Sequence, residues 1–365
     1  MSGGSAVSGG SAVSGGSAAS GGSAVSGGGD RALVDRSADR SLDRSASPPD
    51  TRAVTVRVPA TSANLGPGFD SFGLALARYD EVSASPIDHG LLVEVEGVGA
   101  GQVPLTDQHL VVRAIARAFA AVDKPVPGLH LRCRNTIAHG GGLGSSAAAI
   151  VAGLLLGREL ARSSGGGGSR GTVAAPAGEM LTDADLLALA TEMEGHPDNV
   201  APALLGGFTV AVADPAGRPV VARLAVHPDV RVVVFTAHRS SSTRRSRGLL
   251  PASVPHADAA ANAASAGLLV HALTTEPSYL LLATRDHLHQ HYRASAMPES
   301  ARLLDDLRAA GIAAVISGAG PSVLALVTGP IELARWQRPD FDVAEITVCA
   351  SGAQLIGPSR PRAGH

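Results

Sequence analysis

Residues 140–148 read GGGLGSSAA, four glycines in five positions, then two serines and the start of an apolar run. Three readings compete: a dinucleotide-binding turn, a phosphate-cradling loop, or a linker. The linker reading arises because SSGGGGS recurs at 163–169 and the chain opens in SGGSAV repeats. Gly142, Gly144 and Ala147 satisfy the spacing G-x-G-x-x-A. A dinucleotide fold also needs an acidic residue about 20 positions on, at the end of the next strand. Here a helix-like run reaches Arg162 and passes straight into the glycine-serine segment. A Walker-type loop needs a lysine after its last glycine, and Ser145 stands there; no VAIK, HRD or DFG set follows. What remains is physical. The glycines let the backbone approach a ligand, and Ser145 and Ser146 open a helix whose free N–H groups and dipole favour an anion. A plain capped core helix fits the same letters, so the loop alone leaves both readings open.

Working outward, the 365 residues suggest about two domains. A 45% hydrophobic content with 17% charge fits a globular core, and a net charge of −2 gives no electrostatic case for nucleic acid or an anionic membrane. The two cysteines, Cys133 and Cys349, are too few for a disulfide framework. No apolar run reaches the roughly 18 residues of a spanning helix, and no basic start with an apolar stretch marks a signal peptide. A cytoplasmic location is the expectation. Residues 1–52 read as a disordered Gly/Ser/Ala repeat tail and an Asp/Arg-rich leader, too polar to repay their ordering entropy. The fold is expected to start near Ala53.

From there VTVRV alternates as a strand, LLVEVEG and GLHLRCRN read as strands, and 107–122 has helical spacing with Asp107 near its start. SSAAAIVAGLLLGRELA reads as an apolar helix, and LTDADLLALATEMEG as another, capped by Thr182 or Asp183. ALLGGFTVAVAD and RVVVFTAH read as strands; helices are expected at 257–273 and 300–310, and strands at 314–316 and 323–327. The order is mixed, which points to α+β rather than a doubly wound sheet.

Two further stretches bear on the glycine loop. PATSANLGPGFDSFGLAL at 59–76 is a turn-rich loop after a strand, and SGAGPSV at 317–323 sets Gly318 and Gly320 in a turn between two strands. Together with GLGSSAA, in this order, they resemble the three signature motifs of the GHMP kinases. Within that superfamily the chain looks most like the homoserine kinase family. The match rests on ATSANLGPGFDSFGLAL, on EGHPDNVAPALLGGF at 194–208, on SSTRRSRGLLP at 241–251 and on HLHQHYRASAMPES at 287–300. It covers about 53–352, outside the tail and a flexible insert at 163–178.

The resemblance implies a GHMP kinase fold: an N-terminal ribosomal-protein-S5-like α+β domain that binds ATP, 53–214, and a C-terminal ferredoxin-like α+β domain, 215–357, followed by a tail at 358–365. It implies phosphorylation of the L-homoserine hydroxyl by ATP with Mg²⁺, in threonine biosynthesis, with a small-molecule substrate, no nucleic acid or membrane partner, and room for a homodimer. ATP is expected along Ile137, Ala138, His139, Gly140, Gly141, Gly142, Leu143, Gly144, Ser145, Ser146 and Ala147. Arg247 and Arg293 suit a substrate carboxylate, because a guanidinium fork matches it. Asp70 suits the ammonium, and Asn64 and His196 the orientation of the substrate. Asp198, Asn199 and Thr243 fall at catalytic positions. Mg²⁺ is expected between Ser145 (or Ser146) and Glu192, with Glu194 as the competing glutamate. Ala138, Gly141 and His291 stand where the family more often carries Pro, Arg and Pro. Two rival readings are a GHMP kinase for a mevalonate-like alcohol and a catalytically silent binding protein on the same fold.

Overall fold

The computed structural model describes residues 53–163, 180–241 and 243–357. The tail and leader before Ala53, nearly all of the insert expected at 163–178, and the tail at 358–365 lie outside the described residues. The elements are β1 (Val54–Ala63), β2 (Phe72–Ile87), β3 (Leu91–Gly97), α1 (Leu110–Ala121), β4 (Gly128–Asn135), α2 (Ser145–Ser163), α3 (Asp183–Glu194), α4 (Pro197–Leu205), β5 (Phe208–Ala213) and β6 (Pro219–Leu224). They continue with β7 (Arg231–Ala237), α5 (Thr243–Arg247), α6 (His256–Thr274), α7 (Leu280–Ala283), α8 (Gln290–Arg293), α9 (Pro298–Ala309), β8 (Ala313–Ile316), β9 (Val323–Val327), β10 (Phe341–Ile346) and β11 (Gln354–Ile356). No helix among the described residues is long and apolar enough to cross a membrane.

A seven-stranded sheet runs β11-β1-β2-β4-β3, with β5 joined to β2 and β6 to β5. Only β3 and β4 pair in parallel. Apolar residues of β1, β2 and β4 meet α2, whose buried residues lie nearly all round it. Such a helix belongs in a core rather than at a surface. Gly153 and Gly157 let α1 lie directly on α2: a Cβ at Gly153 would stand 2.5 Å from the Ala114 Cβ, and one at Gly157 2.6 Å from the Ala118 Cβ. The second sheet, β10-β7-β9-β8, is antiparallel throughout and takes the ferredoxin-like order expected of the C-terminal domain.

Several expectations need correction. β1 does not end where the polar letters begin; Thr61 and Ser62 are fully buried inside it, and the loop starts at Asn64. Ala203–Leu205 close α4 rather than open a strand, and Gly206 and Gly207, both at positive φ, separate them from β5. The α3 cap falls on Thr182, one of the two expected candidates, in a capping box with Asp185. α1 starts at Leu110 behind His109, with no side-chain cap from Asp107. The division at 214/215 is not a division of sheets, because β6 pairs with β5 and β11 returns to β1 in the first sheet.

Candidate active site

Three loops meet to form the site. The first, 64–71, joins β1 to β2 and holds Asn64, Leu65, Gly66 and Asp70 at φ of 66°, 50°, 86° and 56°. Left-handed non-glycine residues are uncommon, and asparagine tolerates that region best. The Asn64 side chain fixes the bend: its Oδ1 accepts the Asp70 N–H at 2.9 Å and its Nδ2 donates to the Gly318 carbonyl at 2.8 Å. Asn64 lines the cavity, but its amide is committed to these two backbone groups. The side chain thus shapes the loop that carries Asp70.

The second loop, 136–144, is anchored on buried Asp80, whose Oδ1 accepts the N–H groups of Thr136 and Ile137 at 2.6 and 3.0 Å. Burial raises the Asp80 pKa above the ordinary carboxylate value, against those two hydrogen bonds. The third loop, 317–322, ties down the glycine carbonyls. Ser317 Oγ donates to Gly142 at 2.6 Å and the Ser322 N–H donates to Gly141 at 3.2 Å, while the Ser241 N–H reaches Gly140 at 2.9 Å. Ser317 also meets the Ser62 hydroxyl at 2.9 Å. Beyond Gly144 the chain enters α2, which carries no acidic side chain of its own in its first turn. Gly144 has to be glycine: at φ 70° a Cβ would land 1.9 Å from Thr61 Oγ1.

These loops enclose a cavity of about 230 Å³, with Gly318 and Gly320 of the third motif on its wall. Asp70 and Arg247 face each other across a bidentate pair, Nη1 to Oδ2 at 2.9 Å and Nη2 to Oδ1 at 2.6 Å. That contact raises the Arg247 pKa further. Arg293 is different. It is 2% exposed and, among the described residues, has no carboxylate within salt-bridge distance. Its Nε donates to the Ser246 carbonyl at 3.2 Å and its Nη1 to His289 Nδ1 at 3.3 Å. Burial, and then the neighbouring Arg247, pull its pKa down. The Phe69 ring lies under both guanidinium groups, 5.6 Å from Arg247 Cζ and 5.4 Å from Arg293 Cζ.

On the other wall His196, the residue before α4, binds the carboxylate of buried Asp198 through Nδ1. Burial works to lower its pKa, yet the hydrogen bond and charge of Asp198 hold it above the ordinary imidazole value. Asn199 Oδ1 accepts the Thr61 hydroxyl at 2.8 Å, and its Nδ2 points towards Asp198 Oδ1, 3.5 Å away. Thr61 did not stand out in the sequence, nor did Phe69, Ser246 and His289. Asp70, His196 and Asp198 form a group of potential metal ligands, with ligand atoms all within 4.8 Å of one another.

The expectation for Glu192 is overturned. Glu192 faces away from the cavity and pairs with Arg117 at 2.9 Å, with 64% of its side chain exposed. Glu194 is the glutamate at the site; its Oε1 accepts the Ser146 hydroxyl at 2.6 Å, and burial raises its pKa against that hydrogen bond. Ser145 and Ser146 also border a second cavity of about 250 Å³, walled by Val82, Val103, Pro104, Leu110 and Val111, with His139 at its rim. Of the expected ATP-loop residues, Gly140, Gly142, Gly144, Ser145 and Ser146 line the first cavity and His139, Ser145 and Ser146 the second. Ala138 and buried Ile137, Gly141, Leu143 and Ala147 line neither. The basic side chains lining the first cavity are His196, Arg247 and Arg293, none of them from the glycine loop. Thr243 opens α5, but its side chain lies outside the described residues.

Comparison with known proteins gives a consistent picture. Family models match at residues 109–207, described as the GHMP kinases N terminal domain, and at 273–338, described as GHMP kinases C terminal. The chain is 53% identical over 281 residues to the homoserine kinase of Clavibacter michiganensis subsp. michiganensis, spanning 76% of this chain and 84% of that protein. It is 52% identical over 282 residues to that of Leifsonia xyli subsp. xyli, spanning 76% and 82%. The crystal structure of homoserine kinase from Cytophaga hutchinsonii superposes with a TM-score of 0.69 at 27% identity, covering 84% of this chain and 98% of that one.

Proposed function

The chain belongs to the homoserine kinase family of GHMP kinases, and on that premise we propose that it transfers the γ-phosphoryl group of ATP to the side-chain hydroxyl of L-homoserine, as an ATP:L-homoserine O-phosphotransferase. The product, O-phospho-L-homoserine, places the enzyme in threonine biosynthesis. The observation that carries the reading for this chain's own residues is the charge pattern of the substrate wall. A buried guanidinium without a carboxylate, Arg293, stands beside a carboxylate–guanidinium pair, Asp70–Arg247. An α-amino acid zwitterion is the complement of that wall: its carboxylate meets Arg293 and one fork of Arg247, and its ammonium meets Asp70. A sugar or a plain alcohol offers neither charge.

On this reading the second cavity takes the nucleoside, its apolar walls suiting a base, and the triphosphate runs past Ser145 and Ser146 onto the N-terminus of α2. The residues present fit Mg²⁺ carried with ATP, because Ser146 and Glu194 offer hard oxygen donors already in contact at 2.6 Å. When bound, that ion neutralises charge on the transferring phosphoryl group. The Asp70, His196 and Asp198 group suits it less, since an imidazole is a poor magnesium ligand and Arg247 holds both oxygens of Asp70. Asn199, turned by Thr61, presents N–H donors to a phosphoryl oxygen. Asp198, coupled to His196, is the carboxylate placed to receive the hydroxyl proton, which a loose transition state releases late. Most of the catalysis then lies in holding the hydroxyl in line with the phosphoryl group.

A coupled ADP assay with Mg·ATP and a panel of L-homoserine, mevalonate and galactose tests the reading. L-homoserine should give turnover well above the others. A preference for mevalonate or the sugar would refute the substrate, and nucleotide binding without ADP release would refute the activity.

A further inference from the structure

Resting on the reading just given, we infer that His289 is a positioning residue for the substrate carboxylate: it locks the Arg293 guanidinium and joins it to the loop that presents Asp70. His289 immediately precedes α8, and its side chain is fully buried. Its Nε2 lies 2.8 Å from the Gly66 carbonyl oxygen, in the middle of the 64–71 loop. A carbonyl only accepts, so Nε2 carries the hydrogen. Burial, and the nearby Arg293, lower the imidazole pKa, against the pull of Asp286 and the Gly66 hydrogen bond. In a neutral ring protonated at Nε2, Nδ1 is a lone-pair acceptor. A guanidinium has donors only, so Arg293 Nη1, 3.3 Å away, donates to it. The partner chemistry on both sides therefore fixes the tautomer.

Of the other groups packed against the ring, only Asp286 opposes this assignment, and its oxygens are engaged elsewhere. Asp286 lies 3.6 Å from Nε2, beyond hydrogen-bond distance, and its carboxylate accepts the backbone N–H groups of Leu288, His289 and Gln290 at 3.0, 3.1 and 2.7 Å. The Phe69 ring, 5.2 Å from the imidazole centroid, closes the apolar side. The loop and the segment before α8 also touch through backbone, since a Cβ at Gly66 would stand 2.7 Å from the Thr284 carbonyl oxygen.

The consequence is for the donors that remain. Of five N–H groups on Arg293, one goes to Ser246 and one to His289, leaving three, enough for a bidentate carboxylate grip. Freed from His289, the guanidinium would keep only the Ser246 contact and would no longer be held against the wall shared with Asp70. His289 thus keeps a fixed spacing between the groups expected at the two charged ends of the substrate.

The two ring nitrogens can be tested separately in the full chain. In His289→Asn the amide oxygen stands near the Nδ1 position and can still accept from Arg293, while the link to Gly66 is lost. In His289→Gln the amide reaches the Nε2 position and can still donate to Gly66, while the acceptor for Arg293 is lost. The expected result is a homoserine KM raised roughly ten- to hundredfold in His289→Gln, which frees Arg293 itself, and by a smaller factor of about three- to tenfold in His289→Asn, which frees only the loop, with ATP KM unchanged in both. Equal effects of the two variants would mean a packing role and would overturn the inference. Long-range ¹⁵N–¹H spectra of the wild-type chain, with the His289 ring assigned through its contacts to Phe69, give a second measurement that needs no variant. Hydrogen on Nε2 supports the inference, and hydrogen on Nδ1 overturns it. A wild-type chain that releases no ADP with L-homoserine would instead refute the functional reading itself.

Discussion

Replacing Arg293 by methionine separates stability from substrate binding. The guanidinium is 2% exposed and has no carboxylate within salt-bridge distance among the described residues, so the free protein holds a buried cation that Asp70, Asp286 and Asp198 balance only from a distance. Removing such a charge relieves a desolvation cost of about several kcal/mol. The same change leaves the Ser246 carbonyl and His289 Nδ1 without their donors, at about 1–3 kcal/mol each. The two effects oppose, so the free protein should melt within a few degrees of wild type. Substrate binding has no such compensation. Losing one partner of a desolvated charge pair costs about 2–5 kcal/mol, which at about 1.4 kcal/mol per tenfold is roughly 30-fold to a few thousandfold in homoserine KM. ATP KM should stay within about threefold, because the nucleotide meets the other wall. Steady-state ADP release at varied homoserine and varied ATP reads both constants, and a thermal melt with and without homoserine reads the stability and the lost ligand response. Arg293→Lys, which keeps the charge but loses the fork, should fall between. A homoserine KM within threefold of wild type in Arg293→Met would falsify the assignment, and equal losses for both substrates would point to general damage.

Two further substitutions probe the phosphoryl end. Glu194→Gln removes the carboxylate beside Ser146 and should lower kcat about a hundredfold or more while raising the Mg²⁺ concentration needed, whereas Glu192→Gln, breaking only an exposed pair worth about 0–1 kcal/mol, should leave activity within twofold. A Mg²⁺ titration of both variants distinguishes them, and the reverse pattern would return the metal to Glu192. Thr61→Val keeps the branched shape in β1 but removes the donor that turns Asn199; kcat should drop roughly tenfold with homoserine KM within about threefold, and an unchanged kcat would remove Asn199 from the reaction.

What could be read in the sequence follows the range over which each interaction acts. The glycine loop was legible because its geometry is local: positive φ at Gly140, Gly142 and Gly144, then serines at a helix start. Thr61 and Ser62 were misread because their partners, Asn199 and Ser317, lie 138 and 255 positions away, and without those partners two buried hydroxyls look like loop. β6 and β11 are short strands recognisable only by the strands they join. The choice between Glu192 and Glu194, by contrast, was within reach. Leu187 and Ala190 are buried on α3, and Glu194 follows them at seven and four residues, on the same face, while Glu192 falls off it.

The two arginines show where residue type stops being informative. Both were expected at a carboxylate, and as letters they are equivalent. In the folded chain Arg247 is one-third exposed and already neutralised by Asp70, while Arg293 is buried and is not neutralised by any carboxylate among the described residues. A zwitterion entering between them changes the two in different ways. On the proposed binding mode its ammonium takes over Asp70 as its carboxylate takes over Arg247, one ion pair being exchanged for two, so that step costs little. On that mode its carboxylate gives Arg293 a direct ion-pair partner where Asp70, Asp286 and Asp198 act only from a distance, in a desolvated place where a charge pair is strongest. On the proposed binding mode, the binding energy specific to an α-carboxylate therefore comes mainly from Arg293, and Arg247 with Asp70 acts as an exchangeable pair whose charges already balance before the substrate arrives.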